Sequence, residues 1–249
     1  MSLHATHVGT ATVLLEIDGV TLLTDPVFAG PCAAHFGWGM RSRHLEHPAL
    51  SLADLPPIDL VLLSHDHHAD NFDELGREAV AKATTTLTTV AAGRRLGTPK
   101  ALGLRPWESH RHGALTITAT PARHGPPLSL PLVGPVVGFV IEAPSGVIYV
   151  SGDTVAFAGI EEVARRFRVD TAFLHLGGAG YLGLRFTMDA REGAWAARTL
   201  NARQVIPIHY DGWTHFEDPG PENLRVELER AGLGDCLRIL EKGARTMLA

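Results

Sequence analysis

Two cysteines in 249 residues, Cys32 and Cys236, are too few and too far apart for a disulfide framework or a zinc knuckle. Separate reduced thiols are the expected state, and with them a cytoplasmic location. Basic excess is missing as well: 22 Lys and Arg stand against 27 Asp and Glu, a formal net charge of −5. No global positive field draws the chain to nucleic acid or anionic lipid, so no nucleic-acid partner is expected. No apolar run approaches the ~20 residues that cross a bilayer, which argues against integral membrane association. The opening Met1-Ser2-Leu3-His4-Ala5-Thr6-His7 lacks a basic start followed by an apolar segment, so no signal peptide is expected. Repeats of fixed period and low-complexity tracts are absent too.

Histidine is what the chain has in number, 14 in all, and this directs attention to metal. Three of them crowd into Ser64-His65-Asp66-His67-His68-Ala69-Asp70-Asn71, directly behind the apolar run Ile58 to Leu63. That run reads as a buried strand, so the cluster lies where the strand ends and the chain turns outward. A neutral imidazole offers a lone pair at physiological pH. On extended chain, a His-x-His pair leaves one face and can reach one ion. The cluster has the makings of half a metal site.

Around it, the pattern alternates between strands and helices without a linker. Residues 11–17 and 20–24 flank Asp18-Gly19, a hairpin signal. Residues 27–55 show no period and read as a long loop, a candidate lid over a site. A helix is expected over 72–82 and strands over 84–90 and 114–119. Segments 136–142 and 147–150 form a second hairpin around Pro144, Ser145 and Gly146. Further on, helices are expected near 160–167, 188–200 and 221–231, strands at 171–176 and 204–208, and a closing edge at 237–240. Hairpins dominate the first half and strand–helix alternation the second, which predicts packed mixed sheets covered by helices in one domain, 1–249.

Other ligand types recur where apolar strands give out. Thr120-Pro121-Ala122-Arg123-His124 follows one strand, Ser151-Gly152-Asp153-Thr154 another, and His209-Tyr210-Asp211 a third. Each alone reads as a turn or cap residue. Together with His-x-His they make a set of histidines and carboxylates without cysteine. Such nitrogen and oxygen donors suit a catalytic ion that keeps a position open for water, and not a closed structural zinc site.

In this order, His-x-His, Thr-Pro-Ala-x-His, Ser-Gly-Asp-Thr and Pro-Ile-His-Tyr, the chain resembles the metallo-β-lactamase-fold hydrolases. His7-Val8-Gly9-Thr10-Ala11-Thr12-Val13-Leu14 and Leu23-Thr24-Asp25-Pro26 are similar to the branch of ascorbate-6-phosphate lactonase-like proteins and, more distantly, the phospholipase D that hydrolyses N-acyl phosphatidylethanolamine. The resemblance implies an α+β fold, a four-layer αββα sandwich of two mixed sheets with helices outside and the metal site at one edge. It implies that His65, His67 and His124 hold a first metal, Asp153 bridges to a second, and His209 holds that second. The family pattern His-x-His-x-Asp-His would put Asp at 69 and His at 70, where this chain has Ala69 and Asp70. Asp70 then stands either for the usual His or for the usual Asp displaced by one residue, and carries the role of orienting the attacking water. His68 turns inward or faces solvent. The centre is an altered dinuclear site or holds one ion, with Zn ahead of Mn or Fe.

A bound divalent ion lowers the pKa of its water from roughly 15.7 to about 7 and polarises the oxygen under attack. The expected activity is hydrolysis of a small ester, lactone or phosphodiester; the alternative is a metal-binding or sensor protein that kept only the fold. The partner is a small-molecule substrate, and a homo-oligomer stays open. Asp25 either orients a ligand histidine or starts a turn before Pro26. His215 and Trp213 follow His209 closely enough to line a substrate pocket, and His35 and Trp38 lie in the candidate lid. His7 and His175 read as strand histidines, His110 and His112 as surface residues.

Overall fold

Asp18 and Gly19 turn the chain with φ of 50° and 88°, the two positive values that a tight hairpin requires and that Asp and Gly tolerate. In the computed structural model, which describes residues 2–36, 39–218 and 220–249, this turn joins β2 (Thr12–Ile17) to β3 (Val20–Thr24), after β1 (Leu3–Gly9). A short ribbon, β4 (Cys32–His35) and β5 (Arg41–His44), follows. Then β6 (Leu60–Leu62), α1 (Glu74–Lys82), β7 (Thr85–Thr89), α2 (Val90–Leu96) and β8 (Ala101–Leu104) complete the first half. The second half opens with β9 (Ser109–His112), β10 (Leu115–Pro121), the single turn α3 (Leu130–Val133), β11 (Val137–Ala143) and β12 (Gly146–Val150). It continues with α4 (Ala158–Arg166), β13 (Thr171–His175), the ribbon β14 (Gly180–Tyr181) and β15 (Leu184–Arg185), and α5 (Ala190–Leu200). Last come β16 (Gln204–Ile208), α6 (Pro221–Arg230) and β17 (Thr246–Met247).

Two mixed sheets result, ordered β17-β1-β2-β3-β6-β7-β8 and β16-β13-β12-β11-β10-β9. In each, an antiparallel meander passes into a parallel run, β3-β6-β7-β8 in one and β12-β13-β16 in the other. Alternation along the strands assigns their faces. Leu60 and Leu62 of β6 meet Ile148 and Val150 of β12 in the core between the sheets. The intervening Val61 faces α1, where Ala79 and Val80 are buried, and Tyr149 faces the helices that carry Ile160, Val163 and Leu224. Strands covered on both faces are apolar throughout, which explains why β6 and β16 read as unbroken hydrophobic runs. Pro207, which lacks an N–H, is tolerated because β16 is an edge strand. This is the four-layer αββα sandwich.

Several elements depart from the sequence expectation. The loop 27–55 contains the β4–β5 ribbon, whose buried side carries Ser42 and His44 in place of hydrophobes. Residues 237–240 make a single bridge, Val205 to Leu237, and the sheet edge is closed by β17 against β1. Leu240 is instead drawn into the core between the sheets.

Candidate metal centre

The cluster behind β6 is not extended. Backbone N–H groups of Asn71 and Phe72 both donate to the carbonyl of His68, closing a turn. Ahead of it, the Ser64 N–H donates to Asp25 Oδ1 at 2.7 Å; behind it, Asp73 caps α1 by accepting from Gly76 N and also accepts from Phe28 N and Ala29 N. Before this turn the chain bends at Asp66 and His67, which brings His68 back beside His65 and leaves His67 outside. The His67 ring lies outside, with Nε2 3.0 Å from Arg95 Nη2 and its face against Gly134. Asp66 is bound by the same Arg95. The expected pairing of His65 with His67 presupposed an extended chain, which the bends remove.

His68 Nδ1 sits 3.2 Å from His65 Nε2 and 3.1 Å from His124 Nε2. His124 donates from Nδ1 to the Phe186 carbonyl at 2.8 Å. A carbonyl only accepts, so the neutral ring keeps its proton there and turns the Nε2 lone pair to the centre. Asp153 Oδ2 lies 3.9 Å from His65 Nε2 and 3.7 Å from His124 Nε2. Ligand atoms of His65, His68, His124 and Asp153 all fall within 4.8 Å of one another, and all four residues are buried. The tight turn that delivers Asp153 depends on Gly152, at φ 61°, where a Cβ would stand 2.6 Å from the Val137 carbonyl oxygen.

The other oxygen of Asp153 points to a second lobe. Its Oδ1 is 3.6 Å from His209 Nε2, which is 3.3 Å from Asp70 Oδ2. Asn71 Nδ2 donates to Asp153 Oδ1 at 3.3 Å. His209 is thrown inward at the end of β16 by a left-handed backbone (φ 57°), its N–H donating to Thr10 O. The lobe is underpaired: Asp70 Oδ1, Asn71 Oδ1 and both His209 ring nitrogens are buried without a hydrogen-bond partner. Each such orphan costs about 1–3 kcal/mol, which a cation bound among them would relieve. Both lobes therefore fit divalent ions held by His65, His68, His124 and Asp153, and by Asp153, Asp70 and His209.

Protonation follows from burial and neighbours. Burial holds His65 well below its ordinary range and brings His68 down to about 3, so both imidazoles are neutral and free to ligate. At His209 burial opposes the charge, but Asp153 and Asp70 outweigh it and push the ring up to about 9. Burial alone would raise Asp70, yet its contacts with His209 and His215 hold it well below the carboxylate range.

A directional chain of hydrogen bonds reaches Asp70 from the β4–β5 ribbon. Asp70 Oδ2 only accepts, so His215 donates to it from Nε2 at 3.1 Å. His215 Nδ1 then accepts from Ser42 Oγ at 2.7 Å, Ser42 accepts from Thr214 Oγ1 at 3.1 Å, and Thr214 accepts from Arg43 N at 3.1 Å. His215 also lines the cavity over the centre, with Phe36, Met40, Val133, Tyr181 and Phe186.

Of the six residues singled out as ligands, His65, Asp70, His124, Asp153 and His209 converge, and His67 does not. His68, Asn71 and Ser42 join them. The signal for His68 was the mismatch at Ala69: moving the pattern one residue along puts His68, Asp70 and Asn71 in step. Asp25 touches no ligand histidine directly; it holds Ser64 N and lies 3.2 Å from His175 Nε2. His7 is buried against Thr10 O, Trp213 stacks on His44 and packs edge-on behind Phe36 and His215 of the cavity wall, and His35 is exposed. Trp38 lies outside the described residues.

Comparison with known proteins agrees with this architecture. A family profile described as "Beta-lactamase superfamily domain" matches residues 21–210. The chain is 30% identical over 226 residues to a UPF0173 metal-dependent hydrolase of Caldivirga maquilingensis, covering 87% of this chain and 86% of that one. In structure it is similar to a possible metal-dependent hydrolase from Veillonella parvula (TM-score 0.84, 22% identity, all of both chains covered). It is also similar to an isothiocyanate hydrolase from Delia radicum gut bacteria (TM-score 0.81, 24% identity, 99% of each chain). Fold, ligand cluster and sequence relatives converge: this chain belongs to the metallo-β-lactamase superfamily, within the UPF0173 family of metal-dependent hydrolases.

Proposed function

We propose that one domain spanning residues 1–249 uses two divalent ions, Zn first among them, to hydrolyse a small ester, lactone or phosphodiester in the cytoplasm. The observation that carries this reading is Asp153, whose two oxygens face two separate donor sets. Asp70 is the usual Asp displaced by one residue, and His68 takes the place first given to His67. The motifs around His7 and Asp25 support a position near the lactonase-like branch. When bound, the ions supply an activated water and polarise the oxygen under attack.

The chain's own side chains do the rest. His65, His68 and His124 present ring nitrogens on one side; Asp153 fixes the spacing between the two sides. Asp70 stays ionised at neutral pH, with Oδ2 held by His215 and Oδ1 without a hydrogen-bond partner. Through that oxygen Asp70 would hold the second ion and orient the attacking water. Metal analysis with a hydrolysis screen tests the proposal: the native protein should carry about two ions per chain and Asp153→Asn should lose both metal and turnover. A native protein with under about one ion per chain, unrescued by added Zn²⁺ or Mn²⁺, would overturn it.

A further inference from the structure

A cavity open to solvent lies over the centre. Its wall is built from Phe36, Met40, Val133, Tyr181 and Phe186, and among the described residues none that lines it is Lys or Arg. The carboxylates at its floor, Asp70 and Asp153, are claimed by the metal centre. Arginines near in sequence are turned elsewhere. Arg41 and Arg43 alternate with the inward Ser42 and His44 and are exposed. Arg123 donates to the Ala156 carbonyl and lies over the Phe157 ring, and Arg185 pairs with Asp189. Away from the metal centre, a charged group on a substrate would find no Lys or Arg partner on these walls.

The segments beside the cavity carry apolar surface as well. Leu128 and Leu130 follow ligand His124, and Leu182 and Leu184 lie on the β14–β15 ribbon; they are 94%, 62%, 83% and 48% exposed. The two segments are packed together, Phe186 filling the space beside Gly125, and each gives a residue to the cavity wall, Val133 and Tyr181. Exposed leucines on two segments that flank a cavity are the kind of surface that marks a ligand or interaction site.

Resting on the hydrolase reading, we propose that this cavity binds an uncharged ester or lactone with an apolar acyl chain. The chain lies against Phe36, Met40 and Phe186, and its end reaches toward the leucines of the flanking segments. In the reaction, water adds its oxygen to the acyl carbon and the acyl C–O bond breaks. One water proton leaves with the alcohol oxygen and the other is released from the new carboxylic acid.

The test uses metal-loaded protein with substrates that share a p-nitrophenol leaving group: the acetate, butyrate and octanoate esters and the succinate half-ester. Each buried CH₂ is worth up to about fourfold, so kcat/KM should climb by at least ~10-fold from acetate to octanoate. The succinate half-ester, whose chain ends in a carboxylate, should be slower than butyrate by ~10-fold or more, its charge having no partner on the apolar wall. Leu182→Ser, at an exposed turn, should weaken octanoate more than acetate. Calorimetric titration with 2-decanone, a neutral chain that cannot be hydrolysed, gives a readout without turnover, and it should bind more tightly than 2-butanone. Esters cleaved with no preference for chain length, a succinate half-ester cleaved as well as butyrate, or a decanone that binds no better than butanone would overturn the cavity assignment while leaving hydrolysis standing. A ketone that binds beside esters that are never cleaved would leave the cavity assignment and overturn the hydrolase reading.

Discussion

Asp153 and His68 owe their positions to backbone, not to spacing in sequence. Gly152 makes the turn that aims Asp153 between the two lobes, and the bends at Asp66 and His67 exchange His67 for His68. The two neighbouring histidines should therefore separate cleanly on mutation. His68→Ala removes a nitrogen that faces both His65 and His124 and should lower metal affinity by at least ~100-fold, beyond the effect of losing an outer hydrogen-bond partner. His67→Ala removes a half-exposed ring beside Arg95 and should change affinity by less than about threefold. Competition with a chromophoric chelator measures both. Equal losses in the two variants would return His67 to the centre.

The β4–β5 ribbon is the element that joins the cavity wall to the chemistry. Its Phe36 packs at 4.7 Å from the His215 ring, and its Ser42 fixes which His215 nitrogen bears the proton. Ser42→Ala frees Nδ1 from its donor, so the ring can turn or change tautomer and release Asp70 Oδ2. We expect kcat to fall ~10–100-fold with the metal content unchanged and KM little affected, and Ser42→Thr, which keeps the hydroxyl, to recover most of the rate. An unchanged kcat, or a fall that tracks metal loss, would show that the chain of hydrogen bonds does no positioning. This ribbon also shows where sequence reading stops. Strands with apolar faces, from β2–β3 to β13 and β16, were legible because periodicity records burial directly. So were the strand ends carrying His124, Asp153 and His209. Arg41-Ser42-Arg43-His44 alternates between exposed and buried without a hydrophobe, so its pattern carries no burial signal. Ser42 became readable only through His215, 173 residues away. At the cluster itself, the residue types were plain but their facing depended on bends in the backbone, which composition does not encode.

Over the whole molecule, the buried titratable groups oppose one another, and the balance sets how metal-free protein responds to pH. Burial brings His68 and His175 to about 3 and holds His65 well below 6.5, so the folded chain stays unprotonated where the unfolded chain charges. Depressed bases contribute stability that is present above pH 6.5 and is lost as pH falls toward their folded values. Asp25 is raised to about 8 by burial, and His209 to about 9 by Asp153 and Asp70 against its own burial. These two hold protons in the folded state that the unfolded chain releases near 3.8 and 6.5, so their contribution shrinks as pH rises toward 8 and 9. Between pH 5 and 6.5 the three depressed histidines outnumber Asp25, since His209 is charged in both states there. Stability should climb with pH across that window and fall again above it, by about 1.4 kcal/mol per pH unit for each proton of net difference. Urea unfolding of chelator-treated protein at pH 5.0, 6.5 and 8.5 should thus give its highest midpoint at 6.5. Added Zn²⁺ should shrink the fall on the alkaline side to the share that Asp25 contributes, because a ligating His209 gives up its proton. A midpoint that rises steadily to pH 8.5 without metal, or an alkaline fall left unchanged by saturating Zn²⁺, would mean that His209 is not held between Asp70 and Asp153 as a metal ligand.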